Sequence, residues 1–402
     1  MQRDLLKSRL SNAKTQVDID LSHDEADELH DTFESTSSNQ FAAPRRHSAR
    51  DRSRDYSPMS GAEYFSTALE VDLPISDDIT ATLRVYYTPP SVQSQGERDT
   101  VFVCVHGAGH CAFSWALCAK QLVERSRGTI GALAYDARGH VAHLVSSPAA
   151  GKTRLTTKQG QLASEAGLDM SLRAMVNDLV SLLTQLYPTR DRAPAFVLVG
   201  HSMGGAVVAE ACSRIQQHVG PVTGLCVVDV VEALAQPGSA LEALSSMNSI
   251  ITAQPKSFAS VESAIQWHIK SKTLHNLESA RVSVPALLRP TEEGVGGNAA
   301  NLSWRADLAA TEPFWQGWFE GLSSKFLSAR TARLLLLAGA DRLDKELMIG
   351  QMQGKYQLEV FPDTGHSVQE DAPDKTADVL LSFWRRNDRN DVLKGVKKVG
   401  EL

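Results

Sequence analysis

The 402-residue sequence lacks an excess of positive charge, lacks long apolar runs and has little cysteine, and each absence closes off a class of protein. A formal net charge of −6 and an isoelectric point near 6.1 leave no electrostatic footprint for nucleic acid or an anionic membrane surface. No stretch approaches the roughly 18 consecutive apolar residues that a membrane span needs. The opening MQRDLLKSRLSNAKTQVDID has no apolar run of the kind found in secretory signals, so no signal peptide is expected. The five cysteines, Cys104, Cys111, Cys118, Cys212 and Cys226, form no CxxC pair and no even disulfide framework. Cys104 and Cys226 fall inside apolar runs, where a free thiol behaves as a small hydrophobe. These absences predict a soluble intracellular protein of a reducing compartment; it is expected to be a monomer, cytoplasmic or also nuclear, without metal or cofactor.

What is present divides unevenly along the chain. Residues 1–58 are rich in Ser, Asp, Glu and Arg and show only brief apolar spacing, so they are expected to be a disordered tail. Their basic run, PRRHSARDRSR (44 to 54), reads either as a solvated tail or as a nuclear address. From about residue 59 the pattern turns globular. ALEVDLP and TATLRVYYTP look like an antiparallel strand pair. TVFVCVHG, TIGALAYD, APAFVLVG, TGLCVVDV, RLLLLAG and YQLEVF are continuous apolar runs of the sort buried in a parallel sheet. Helical spacing separates most of them, which predicts an α/β fold with a mostly parallel central sheet covered on both faces. Between residues 231 and 332 the rhythm breaks into a mainly helical block. The expected organisation is a core over 59–232 and 328–388, a helical cap inserted at 233–327, and a C-terminal tail at 389–402.

Gly200-His201-Ser202-Met203-Gly204 follows a buried strand and precedes a helix, which is the setting of a nucleophile elbow. The glycines two positions either side of Ser202 let the backbone pass while the turn lifts the hydroxyl above the sheet. A serine hydroxyl needs a general base. Of the twelve histidines, His366 in FPDTGHSVQED is best placed, after the last strand and before the final helix. His201 is expected to point away along the turn and pack structurally, and His106 and His110 to shape the site. Two strand-end carboxylates compete as the acid, Asp229 and Asp341, and strand order alone leans to Asp341. The oxyanion donors are expected to be the backbone N–H groups of Met203, after the nucleophile, and Ala108, in HGAGH after the first parallel strand.

Taken together, HGAGHCAFSWA, VGHSMGGA, GLCVVDVVEA, LESARVSVP, FWQGWFEGLSSKFL, LLLLAGADRLDKELMIGQMQGKYQ and GHSVQEDAPDK resemble the protein phosphatase methylesterase family of the α/β-hydrolase superfamily. The resemblance runs over most of residues 54–386 and includes the insertion. It implies an α/β-hydrolase fold with a helical cap and a triad of Ser202, Asp229 and His366, with Asp341 as the fallback acid. It implies a serine carboxylesterase that demethylates the C-terminal leucine of the protein phosphatase 2A catalytic subunit. A generic small-molecule esterase and a non-catalytic phosphatase-binding protein are the competing readings. The family usually carries HGGGH and DVVEG, whereas here Ala108 and Ala233 replace one glycine in each. Trp304, Trp315 and Trp318 are read either as a groove for the substrate tail or as cap core.

Overall fold

A computed structural model describes residues 54–76, 79–92, 98–140, 144–146, 155–156, 169–230, 251–291, 301–339 and 343–387. The tail expected at 1–58 lies almost wholly outside them, as do Asp341, Ala233 and the segment 389–402. The architecture below belongs to the compact unit Asp55–Leu402.

Its centre is one twisted sheet. In chain order the strands are β1 (Thr67–Ser76), β2 (Ile79–Thr88), β3 (Thr100–Val105), β4 (Ile130–Tyr135), β5 (Leu144–Ser146), β6 (Leu155–Thr156), β7 (Ala195–His201) and β8 (Val222–Val228), then β9 (Leu288–Pro290), β10 (Leu302–Trp304), β11 (Ala332–Leu337) and β12 (Gln357–Val360). The spatial order is β12-β11-β8-β7-β3-β4-β2-β5-β6, with β1 paired to β2, while β9 and β10 make a separate hairpin. The six strands from β12 to β4 run parallel. The β1–β2 pair, expected at an antiparallel margin, joins β4 in antiparallel register. Every residue of β3, β4 and β7 is buried. A strand covered on both faces has no solvent side, which is why these segments read as unbroken apolar runs.

The helices are α1 (Ala116–Arg125), α2 (Leu172–Leu186), α3 (Met203–His218), α4 (Val261–Lys270), α5 (Leu277–Ser283), α6 (Trp315–Phe319), α7 (Leu322–Ser328), α8 (Lys345–Met352), α9 (Val368–Asp371) and α10 (Pro373–Asn387). One face of the sheet packs against α2 and α3, with Leu179, Leu183, Val207 and Ala211 in its core. The other packs against α1 and α10, with Leu122, Leu380 and Phe383. Glycine, alanine and valine at the start of α3 let that helix lie close to the strands, and Gly204, Gly205 and Ala206 are all buried.

The insertion after β8 is not uniform. Phe258, Ala264, Ile265, Leu274, Ala280, Val284 and Leu288 form a small core of their own, built from α4, α5 and the β9–β10 hairpin. Further along, Trp315, Trp318 and Phe326 belong to the main sheet core instead. A periodicity argument reads both halves as amphipathic helix and cannot tell which core each one enters.

Candidate active site

Ser202 stands between β7 and α3 with φ 50° and ψ −120°. For a residue with a Cβ this backbone costs about 1–3 kcal/mol and persists only where its surroundings over-determine it. They do so here. The Ser202 N–H donates to the Val228 carbonyl at 2.9 Å, and its carbonyl accepts from Gly205 N–H at 2.8 Å. A Cβ at Gly200 would lie 2.1 Å from the Gly204 carbonyl oxygen, and one at Gly204 would lie 2.3 Å from that of Val105. No larger residue fits at either position. The Ser202 side chain makes no capping bond to α3, so its hydroxyl is left at the positive end of the helix for other work.

One strand over, Asp229 follows β8 and also has positive φ, at 49°. Its N–H donates to the Leu336 carbonyl at 2.7 Å, and its Oδ1 accepts from Ala338 N–H at 2.8 Å. Its Oδ2 accepts from His366 Nδ1–H at 2.7 Å. Asp229 is buried, whereas the His366 side chain is 47% exposed, so the pair runs from the sheet out to solvent. Holding the proton on Nδ1 leaves Nε2 as the lone-pair nitrogen, which is the form a general base requires. His366 Nε2 and Ser202 Oγ are not hydrogen-bonded to each other in this structure.

His201 does not point away from the site. It is fully buried, with its ring centroid 4.6 Å from that of His366. Its Nε2–H donates to the His366 carbonyl at 2.9 Å. Burial, followed by repulsion from the neighbouring imidazoles of His366 and His110, holds it well below the ordinary histidine range. His201 is therefore a neutral strut under the base. His106 and His110 likewise sit in the site's wall, in the loop after β3.

The Met203 N–H opens α3 beside the serine, and Ala108 lies in the loop after β3. Neither N–H has a hydrogen-bond acceptor among the described residues. Beside this loop a cavity is lined by Gly109, His110, His140, Trp304, Arg305 and Leu308 among others. Trp304 borders it and anchors its indole N–H on the Pro255 carbonyl at 2.8 Å. Trp315 and Trp318 cannot belong to such a groove. Each is 1% exposed in the sheet core, and their indole N–H groups are spent on Thr311 Oγ1 and the Met170 carbonyl. Sequence reasoning missed His140, Ser367 and Glu370, which only the tertiary fold brings to the loop of residues 106–110.

A family model described as alpha/beta hydrolase family matches residues 102–379. A protein named protein phosphatase methylesterase 1 from Cryptococcus neoformans is 39% identical, over 85% of this chain and 81% of that protein. Its namesake from Yarrowia lipolytica is 43% identical, over 84% of this chain and 75% of that protein. The chain belongs to the protein phosphatase methylesterase family. Among solved structures, E-2-(acetamidomethylene)succinate hydrolase has a TM-score of 0.54 at 17% identity, covering 79% of this chain and 98% of its own. The peroxisomal alpha-beta-hydrolase Lpx1 of Saccharomyces cerevisiae has a TM-score of 0.53 at 17% identity, covering 83% and 90%. These two share the α/β-hydrolase fold with the methylesterase chain, with its mostly parallel central sheet. Its departure at Ala108 leaves the backbone N–H in place, because alanine alters the side chain and not the donor.

Proposed function

We propose that this methylesterase hydrolyses the methyl ester on the C-terminal leucine carboxyl of the protein phosphatase 2A catalytic subunit, with Ser202, His366 and Asp229 as its triad. The observation that carries the reading is the 2.7 Å Asp229–His366 bond beside a serine held at positive φ. The names of the relatives support the substrate.

In the reaction, His366 Nε2 takes the Ser202 proton as Oγ bonds to the ester carbonyl carbon. The carbonyl oxygen becomes an oxyanion that the Met203 and Ala108 N–H groups stabilise. The tetrahedral intermediate collapses by breaking the bond to the methoxy oxygen, and His366 returns its proton so that methanol leaves. A water molecule then gives a proton to His366 and attacks the leucyl acyl-enzyme. Ser202 is regenerated and the tail departs as a free carboxylate. Asp229 keeps the imidazole in the Nδ1–H tautomer and stabilises its charged form throughout.

Methanol release from carboxymethylated phosphatase tests this. Native protein should release methanol, and Ser202→Ala should lose activity by roughly six orders of magnitude, the loss typical of a deleted serine nucleophile. Full biological effect with Ser202→Ala would mean that binding to the phosphatase, not hydrolysis, is the function.

A further inference from the structure

His106-Gly107-Ala108-Gly109-His110 crosses the mouth of the site with nothing larger than a methyl group between its two histidines. Such a backbone has little intrinsic stiffness, and Gly109 takes φ 74°. Oxyanion donors are effective only when fixed before charge develops. Three imidazoles supply the fixing. His106 Nδ1 bonds the Gly107 carbonyl at 2.8 Å, and its Nε2 accepts from Ala137 N–H at 3.0 Å. The backbone N–H of His110 reaches the same Gly107 carbonyl at 3.2 Å. His110 Nδ1 bonds the Ala108 carbonyl at 3.0 Å, and its Nε2 meets Ser367 Oγ at 3.0 Å. His140 Nε2 accepts from Gly109 N–H at 3.1 Å, while its Nδ1 bonds the Arg138 carbonyl at 2.9 Å.

The partners dictate the tautomers. A carbonyl only accepts and an amide N–H only donates, so each ring carries its proton on Nδ1. With His110 neutral, Ser367 donates its hydroxyl proton to Nε2. All three rings are neutral, and burial favours that form: it holds His106 well below the usual range, lowers His140, and pushes His110 down to about 4. Glu370 Oε2 lies 3.8 Å from His110 Nε2. Burial also raises this carboxyl, to about 8, so the contact is between two neutral groups near pH 7.

The geometry follows from the planarity of the peptide. The carbonyl of the Gly107–Ala108 peptide is held by two donors, and the N–H of a trans peptide points opposite its carbonyl. That N–H belongs to Ala108. The next peptide is clamped at both ends, its carbonyl by His110 and its N–H by His140. The loop bearing His140 is itself braced where Arg138 grips Asp178 through two bonds of 2.6 and 2.5 Å.

We propose that His106, His110 and His140 are positioning residues of the oxyanion hole, fixing the two peptide planes around Ala108 so that its N–H meets the developing oxyanion. Through Ser367, the residue after His366, His110 also ties those planes to the loop that carries the base. The proposal rests on Ser202 being the nucleophile. It accounts for four side chains with no part in the proton transfers.

The test compares His140→Leu, His140→Gln, His110→Leu, His110→Asn and Ser367→Ala with the native enzyme. The readouts are kcat and KM on a p-nitrophenyl ester, inhibition by an alkyl trifluoromethyl ketone, and Tm. The leucine variants should lose about 100-fold in kcat, the loss expected when one oxyanion donor is misplaced. Ketone affinity should fall in step, while KM stays within a few-fold. His140→Gln keeps an acceptor and His110→Asn keeps a donor, so both should recover most of kcat. Ser367→Ala should lose about tenfold with Tm within a few degrees of native, and it decides the His110 arm even if a leucine variant fails to fold. Unchanged ketone affinity in the leucine variants, equal losses in His140→Leu and His140→Gln, or full activity in Ser367→Ala would overturn the proposal. A fluorophosphonate that labels native Ser202 separates this failure from that of the parent reading, since an unlabelled Ser202 would sink the nucleophile itself.

Discussion

The strand-end corner and the insertion solve different problems with different materials. At the corner, Ser202 and Asp229 end adjacent parallel strands, both with positive φ and both locked by main-chain hydrogen bonds. Their placement is stored in the backbone of the sheet. In the insertion, Phe258, Trp267, His268 and Trp304 meet through ring contacts with centroids 4.8 to 6.1 Å apart, around a core of only seven buried apolar residues. Its geometry is stored in side-chain packing. The reactive geometry is thus held by main-chain hydrogen bonds at the ends of buried strands. The wall beside it comes from a small core whose local stability should be lower.

Four substitutions break or sharpen that contrast. The largest effect is expected from Gly204→Ala, whose methyl group must displace the Val105 carbonyl at 2.3 Å. Overpacking against backbone cannot be relieved by a rotamer change, and a loss above about 4 kcal/mol in denaturant unfolding is expected. Trp315→Ala should cost about 3–5 kcal/mol, because it empties a site in the sheet core, yet leave kcat nearly unchanged at a temperature where the variant is folded. Trp304→Ala should do the reverse. It should destabilise modestly and raise KM for the protein substrate several-fold with kcat within about twofold, since about 1 kcal/mol of lost contact is a factor of roughly five.

The fourth effect is electrostatic and is read as a pH dependence rather than as a change at one pH. Burial, with some repulsion from Asp371, raises Glu370 from 4.5 to about 8, against the lowering bond from Ser283. The folded chain therefore keeps a proton that the unfolded chain releases above about 4.5. This stabilising contribution is complete below that pH and is lost as pH rises toward 8. Glu370→Gln removes the titration. The difference in denaturation midpoint between variant and native protein should shift in the variant's favour from about pH 5 to about pH 8.5. A difference that stays constant across that range would mean that Glu370 is ionised in the fold.

Much of the sheet was legible because β3, β4 and β7 are buried on both faces and therefore apolar without interruption. The elbow was legible for a steric reason, since only glycine fits at Gly200 and Gly204. Three features escaped. Trp315 and Trp318 share the aromatic character of Trp304, and composition cannot say which core receives them. The β9–β10 hairpin has three residues in each strand, too few to show alternation against a helical background. The histidine cage joins residues 106, 110, 140 and 367 through single hydrogen bonds, and no periodicity links positions so far apart in the chain.

The triad turns on which carboxylate orients His366. Strand order leaned to Asp341, whereas the structure gives Asp229 the bond to His366 Nδ1 at 2.7 Å. The direct measurement is kcat for Asp229→Asn and Asp341→Asn, assayed together on the methyl ester. An asparagine at the triad's acid position favours the wrong imidazole tautomer and typically costs about four orders of magnitude. Asp229→Asn should fall by about that much, with Asp341→Asn within a few-fold of native. Near-native turnover in Asp229→Asn, with collapse in Asp341→Asn, would contradict the account.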